Sequence, residues 1–435
     1  MAEVRPFSGI RYDAAKAGSI SHVLCPPYDI ISVQQERSFL EHSPYSAVAL
    51  ELRELKPGEP ADPGRYQASA ERLRAWLREG TLRQDDAPSM YLLEERFEHR
   101  GATRTRRTLL AAVGLEPFEK GVVMPHEHTR PGPKADRLAL MKAAHANLSP
   151  IMALYRDGDV AEALAQTQKT KSAVEAALEG TAEYRLWRIA DRTVLERIGR
   201  AMAARQLFIA DGHHRYETAL KYRDDLVAAS GPLPPDAAAN FMMIGLIAMD
   251  DQGLLVQPYH RVLGGLTRDE MTALRSGLAR AYEVSEIPLA SSSAEASANR
   301  LEASLRQAKA GSVVAAAYGL EPGKAHLLTL RESEMPKLGS PPLDRAEMRI
   351  LHRKGITPSL GADREAATIA FVHDAVEAVE RVTEGKSQVA LLLRALPMDL
   401  FVEVVSRGER LPPKSTYFYP KLPTGLVFRS LEGTL

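Results

Sequence analysis

The residues in this chain whose types and spacing can do chemistry are Asp211-Gly-His-His-Arg215. They follow the apolar run Leu207-Phe-Ile-Ala210 and precede a helical pattern of Tyr216, Ala219, Leu220, Arg223, Leu226 and Val227. A strand, a tight turn and a helix start are expected from that order. A helix N-terminus carries unpaired N–H donors and partial positive charge, so it attracts anions. Gly212 permits a turn with positive φ. Asp211 can cap the helix by accepting from N–H groups one turn on, and that reading needs no ligand. It leaves His213, His214 and Arg215 unexplained, because cations in a first helical turn are disfavoured unless an anion is bound. Binding of a phosphate is the chemistry expected at this turn.

Further clusters qualify. His126-Glu127-His128-Thr129 places two imidazoles on one face if the segment is extended, a spacing that can bind a metal with Glu127 or Asp136 as a third ligand. It is not the helical His-Glu-x-x-His pattern. The alternative is a polar loop whose histidines are hydrogen-bonded. Lys134, Asp136 and Arg137 open the next helix and are candidates for substrate or phosphate contacts. Leu411-Pro-Pro-Lys-Ser-Thr-Tyr-Phe-Tyr-Pro-Lys421 cannot be a regular helix. Its Lys414, Ser415, Thr416 and Lys421 suit a phosphate or carboxylate, or the stretch is a strap that packs its aromatics on the core. No Gly-x-x-x-x-Gly-Lys loop accompanies it. Pro26-Pro-Tyr-Asp29 reads as extended backbone, with Asp29 capping the following helix. A carboxylate shared with the Asp211 cleft is the other role open to Asp29.

The elements that must position these groups read as mixed α/β. Strands are expected at 46–52, 90–99, 105–115, 151–155, 184–189, 207–210, 241–249, 312–318, 326–330 and 389–393. Arg100-Gly101 should close a hairpin between two of them. Helices are expected at 66–77, 135–146, 160–178, 193–204, 213–229, 295–309, 341–352, 364–383 and 400–406. Strand and helix alternate from 184 to 229, the order of packed α/β layers. The Ser/Ala-rich stretch at 290–297 marks a loop or linker, which divides the chain into regions 1–289 and 298–435.

At 435 residues the chain can bury a large core, and 45% apolar with 26% charged residues is the balance of a soluble globular protein. Lys plus Arg and Asp plus Glu number 56 each, so no overall charge holds nucleic acid. The single cysteine, Cys25, leaves no internal disulfide and no cysteine-based zinc cluster, which fits a reducing compartment. No stretch reaches the roughly 20 apolar residues of a membrane span. No secretory signal is read at the start, and a cytoplasmic location is expected.

Arg5-Pro-Phe, Pro26-Pro-Tyr-Asp29, His126-Glu-His-Thr129, Gly132-Pro-Lys-Ala-Asp-Arg137, Asn147-Leu-Ser-Pro150, Asp211-Gly-His-His-Arg215 and Pro413-Lys-Ser-Thr416 with Tyr419-Pro-Lys421 occur in order along the chain. In these pieces the sequence resembles the domain of unknown function 1015 family. Leu195–Leu220 also resembles the ParB/sulfiredoxin-like superfamily, which implies such a core at about 184–250 with large additional α/β segments. Sulfiredoxin chemistry needs a cysteine in this turn, and none is present. Some members of that superfamily are nucleotide-dependent kinases for free serine, with a motif similar to Asp211–Arg215. The resemblance implies Asp211 as base or metal ligand, and Gly212, His213, His214 and Arg215 as the cradle for transferring phosphate oxygens. A nucleoside di- or triphosphate and Mg²⁺ would be the cofactors. The expected function is a nucleotide-dependent phosphotransferase for a small hydroxylated metabolite. A nucleotide-binding regulatory module and a metal-assisted hydrolase using His126 and His128 are the alternatives.

Overall fold

The computed structural model describes residues 2–55, 59, 62–156, 160, 164, 167–290, 293–339 and 341–435. The chain forms two compact units, Met1–Leu254 with Pro420–Leu435, and Leu255–Tyr419. The division falls at 254/255 and 419/420 rather than between 289 and 298, and the last segment of the chain belongs to the first unit. Both units are mixed α/β.

The first unit is built on a nine-stranded sheet. From one edge the strands run Val123–Met124, Leu207–Asp211, Ile151–Tyr155, Phe241–Ala248, Ala102–Gly114, Met90–His99, Ala182–Ile189 and Val174–Leu178, and Val4–Arg5 pairs with Ala102–Gly114. Val123–Met124 is parallel to Leu207–Asp211, and Ile151–Tyr155 to Phe241–Ala248; the other pairings are antiparallel. The long hairpin turns through Arg100 and Gly101, both at positive φ (52° and 73°), the primed geometry whose twist matches the strands.

Helix His213–Ser230 buries Tyr216, Ala219 and Tyr222, three residues apart, against a core that includes Ile151, Ala153, Leu207, Ile209 and Ile244. Helix Pro131–Ala144 packs on it and is covered in turn by Gly64–Glu79. The last segment crosses this unit in short pairings: Thr424 with Cys25, Phe428 with Ile10, and Arg429–Ser430 with Ala146–Asn147. Leu426, Val427 and Phe428 are buried. Arg429 is 1% exposed and donates to Asn147 Oδ1 (2.8 Å) and the carbonyl of Phe241 (2.9 Å). Burial pushes its guanidinium down to about 9, which leaves it charged at neutral pH.

The second unit is a six-stranded antiparallel sheet in the order Tyr282–Ile287, Ala325–Leu330, Val314–Tyr318, Val389–Leu392, His260–Leu263 and Ile369–Val372. Helices Ala294–Gln307 and Ala375–Thr383 bury one face of it. A ribbon of Leu255–Gln257 with Tyr417–Tyr419 completes the unit.

Three expected elements differ. The apolar run at 46–52 contains the short helix Val48–Glu51, since a short buried run does not distinguish strand from helix. The helix expected over 160–178 lies partly outside the described residues, and Val174–Leu178 is an edge strand paired with Ala182–Leu186. Pairing there overrides the helical propensity of its alanines. The helix expected over 364–383 is broken by the strand Ile369–Val372, after which Asp374 caps a new helix by accepting from Val376 and Glu377 N–H groups. Among the described residues no helix is long and apolar enough to cross a membrane.

Because the terminal segment is core, deleting 420–435 should lower the unfolding midpoint by about 10 °C or more, as truncating even one buried Phe costs about 3–5 kcal/mol. An unchanged midpoint in a thermal melt would contradict its assignment to the first unit.

Candidate functional site

Strand Leu207–Asp211 runs antiparallel to Ile151–Tyr155, so its end lies beside Ser149-Pro150. The register shifts between Ile209 and Asp211, a bulge that re-aims the Asp211 side chain. Gly212 follows at φ 95°, ψ 29°, and helix His213–Ser230 begins. A Cβ at Gly212 would lie 3.0 Å from Arg215 Nη2 and 3.1 Å from Ile151 Cγ1, so the turn needs glycine for its backbone and for its space. No side chain caps this helix. The cap expected from Asp211 does not form because its carboxylate is engaged elsewhere: Oδ2 accepts from Arg215 Nη2 and Oδ1 from Lys421 Nζ, both at 2.7 Å.

Lys421 joins two distant carboxylates. Its ammonium also donates to Asp29 Oδ2 at 3.0 Å, and its side chain is 9% exposed. Asp29 therefore contributes to the Asp211 cluster. The helix after it, Val33–His42, is capped instead by Ser32 and Gln35 in a reciprocal capping box.

Arg215 is 6% exposed and donates through Nη1 to Ser149 Oγ (3.0 Å) and the Pro150 carbonyl (2.6 Å). Ser149 passes its own hydrogen to Glu51 Oε1 at 3.0 Å. Burial pushes the Glu51 carboxyl up, opposed by the guanidinium groups of Arg137 and Arg215. Arg137 donates to the carbonyls of Glu51 and Leu52, binds Asp136 through Nε at 2.8 Å, and stacks 4.0 Å over the Tyr28 ring. Asp136 accepts from Tyr66 at 2.6 Å. A cavity of about 30 Å³ lies among Glu51, Arg137, Asn147, Ser149 and Arg215, enough for one water. Asn147 Nδ2 and Arg215 Nε are the donors near it that find no partner among the described residues.

The histidines hold the loop in front of the helix. His213 Nε2 accepts from the His126 N–H at 3.2 Å, and its Nδ1 faces Glu127 Oε1 at 3.6 Å. His126 Nδ1 contacts the Ile209 carbonyl at 2.7 Å, and the two rings meet edge to face at 4.4 Å. His214 Nε2 accepts from the Arg130 N–H at 2.8 Å. These acceptors assign the neutral Nδ1–H form to both helix histidines. Thr129 and Lys134 both bind Glu217 Oε2 at 2.7 Å.

His126 is buried and His128 exposed, so the loop does not present the two rings on one face. Among the described residues no group of three His, Cys, Asp or Glu side chains is arranged to hold a metal ion. Lys414, Ser415 and Thr416 separate from Lys421 at the unit boundary. In the second unit Ser415 donates to the Pro412 carbonyl, and Lys414 lies over the Tyr259 ring at 5.2 Å. Nothing in the sequence marks Ser149 as a partner of Arg215, or Glu51 as the acceptor behind Ser149. Ser149 lies in Asn147-Leu-Ser-Pro150, whose sequence holds a hydroxyl but no hint of what it faces.

A family model described as "Protein of unknown function (DUF1015)" matches residues 4–346, and the chain belongs to that family. No curated protein matches. Similar solved structures include a free serine kinase mutant in complex with ADP, at TM-score 0.34 and 13% identity over 73% of this chain and 91% of that one. A conserved hypothetical protein from Pyrococcus furiosus gives TM-score 0.32 and 14% identity over 73% and 93%. SbnI with C-terminal truncation from Staphylococcus aureus gives 0.34 and 11% over 73% and 85%. Likeness at these scores carries no argument about this chain.

Burial lowers the proton affinity of His214 below the ordinary imidazole value of 6.5, although Glu127, Glu217 and Asp29 oppose it. The unfolded chain then binds more protons than the folded one as pH falls through that range, so stability drops with acidification. His352 in the second unit acts in the same direction. His214→Gln should therefore remove part, not all, of the loss in melting temperature between about pH 7.5 and about pH 5.5. An NMR titration placing His214 above 6.5 would contradict this.

Proposed function

We propose that this DUF1015 protein is a nucleotide-dependent phosphotransferase acting on a small hydroxylated metabolite, with its phosphate site at the start of helix His213–Ser230. The observation that carries the reading is an uncapped helix N-terminus flanked by a lysine that two carboxylates hold in place. Uncapped N–H groups and a nearby ammonium suit the terminal phosphates of a nucleotide. Phosphoryl transfer asks mainly for positioning and charge stabilisation, which such donors supply.

In this reading Lys421 moves its charge from the carboxylates to the phosphate oxygens. Asp211, released on Oδ1, accepts the proton of the acceptor hydroxyl. The acceptor oxygen forms a bond to the terminal phosphorus as the bond to the nucleotide's bridging oxygen breaks. Arg215 keeps Asp211 aimed through Oδ2 and carries its own load on Ser149 and Pro150, so it positions the base more than it grips phosphate. His213 and His214 set the 126–130 loop against the helix. Mg²⁺ bound with a nucleotide takes most of its ligands from phosphate and water and needs one or two protein carboxylates, a demand Asp29 and Asp211 suit. It would supply charge neutralisation.

A second reading, nucleotide binding without turnover, is favoured by the double engagement of Asp211, whose two oxygens are both occupied by cations at rest.

Product detection separates the two. Phosphorus NMR of the protein with Mg²⁺, ATP or ADP and a panel of hydroxylated metabolites should show a new phosphomonoester. Asp211→Asn should slow its formation about 10²–10⁴-fold, the range for loss of a general base. That variant should keep nucleotide stabilisation of about 2.7 kcal/mol at about 100 times Kd in a thermal shift. Stabilisation without product in any mixture would favour the binding module. No stabilisation by ATP, ADP, CTP, GTP or phosphate would overturn both.

A further inference from the structure

We infer that Glu95 and Arg106, in the middle of the long hairpin, are positioning residues for Lys421. The two residues are direct cross-strand partners and both side chains are fully buried. Arg106 Nε and Nη2 bind Glu95 Oε2 and Oε1 at 2.8 Å each, and Thr108 adds a bond to Oε2 at 3.0 Å. The same Nη2 donates to the carbonyl of Pro420 at 2.6 Å, across 314 residues of chain.

A buried ion pair is a weak source of stability, since apolar residues of similar volume often serve as well or better. What apolar residues cannot do is hold a carbonyl. Proline fixes its own φ, and fixing its carbonyl oxygen orients the peptide plane that leads into Lys421. Three residues on, Thr424 exchanges two backbone bonds with Cys25, at 2.9 and 3.2 Å. Cys25 in turn leads to Asp29. Lys421 is thus suspended between a side-chain clamp and a backbone bridge, and its ammonium reaches Asp29 and Asp211. The strand carrying Arg106 also holds the chain as it leaves for the second unit. Still within the first unit, the Arg107 N–H donates to Asp251 Oδ2 at 3.2 Å, and a Cβ on Gly253 would meet the Thr105 carbonyl oxygen at 2.3 Å. Departure and return of the chain are fixed on one stretch of sheet.

The consequence for turnover rests on the phosphate role of Lys421 proposed above; the placement of Lys421 does not. The test therefore reads placement directly. The full-length Glu95→Met/Arg106→Met protein and the Arg106→Lys protein are treated with acetic anhydride under native conditions, and acetylation is quantified at each lysine by mass spectrometry. Lys421 should react about tenfold faster in the double variant, the factor that loss of one charge-assisted hydrogen bond brings. It should react at an intermediate rate in Arg106→Lys, whose shorter cation cannot span both Glu95 and Pro420. The rate at Lys134, which Glu217 holds at 2.7 Å in the same unit, should not change, whereas a general loosening of the fold would raise it too. If the double variant fails to fold, Arg106→Lys alone decides by the same comparison. Unchanged Lys421 labelling in a folded variant would overturn the inference. Raised labelling in the variants, with no phosphotransfer by the unsubstituted protein, would sustain the positioning role while removing the proposed reaction.

Discussion

One ammonium group organises the site. Lys421 Nζ is bound by Asp211 and by Asp29, partners 210 and 392 residues away in sequence, while its side chain is nearly buried. A buried ammonium without partners carries a desolvation penalty of several kcal/mol. Lys421 therefore ties together the N-terminal segment, the turn after strand Leu207–Asp211 and the terminal segment, each of which supplies one member of the cluster. The site is consequently a property of the assembled unit, and an anion that draws Lys421 toward itself changes the balance of all three.

The surrounding structure supports that arrangement by steps. The bulge at Ala210 aims Asp211, and Gly212 lets the helix begin without a cap. Arg215 fixes the far oxygen of Asp211 and is fixed by Ser149 and Pro150, which precede the neighbouring strand. Glu51, Arg137 and Tyr28 form the layer behind, where guanidinium charge opposes the upward push of burial on the Glu51 carboxyl. Both Nη atoms of Arg215 and the Ser149 hydroxyl are committed to acceptors, which keeps the geometry narrow in a medium where misplaced charges are expensive.

The turn itself was legible because local patterns specify it: a β-run, Asp-Gly and a helical period identify strand, turn and helix start without reference to the rest of the chain. The hairpin at Arg100-Gly101 was legible for the same reason. Sequence marks Lys421 as a cation suited to an anion but sets it beside Lys414, Ser415 and Thr416, and the unit boundary runs between them. Its place before a helical stretch suits Asp29 to a cap, yet Ser32 takes that task and leaves Asp29 for Lys421. Glu51, Ser149, Glu95 and Arg106 gave no signal, since their roles come from pairings set by the folded sheet. The strand at Val174–Leu178 was hidden by alanines whose intrinsic preference is helical.

The most direct test of the account is a crystal structure of the protein with ADP and Mg²⁺. The account predicts the phosphates against the N–H groups at the start of helix His213–Ser230, with Lys421 Nζ turned from Asp211 to a phosphate oxygen. Phosphates bound elsewhere, with Lys421 still held by both carboxylates, would contradict it.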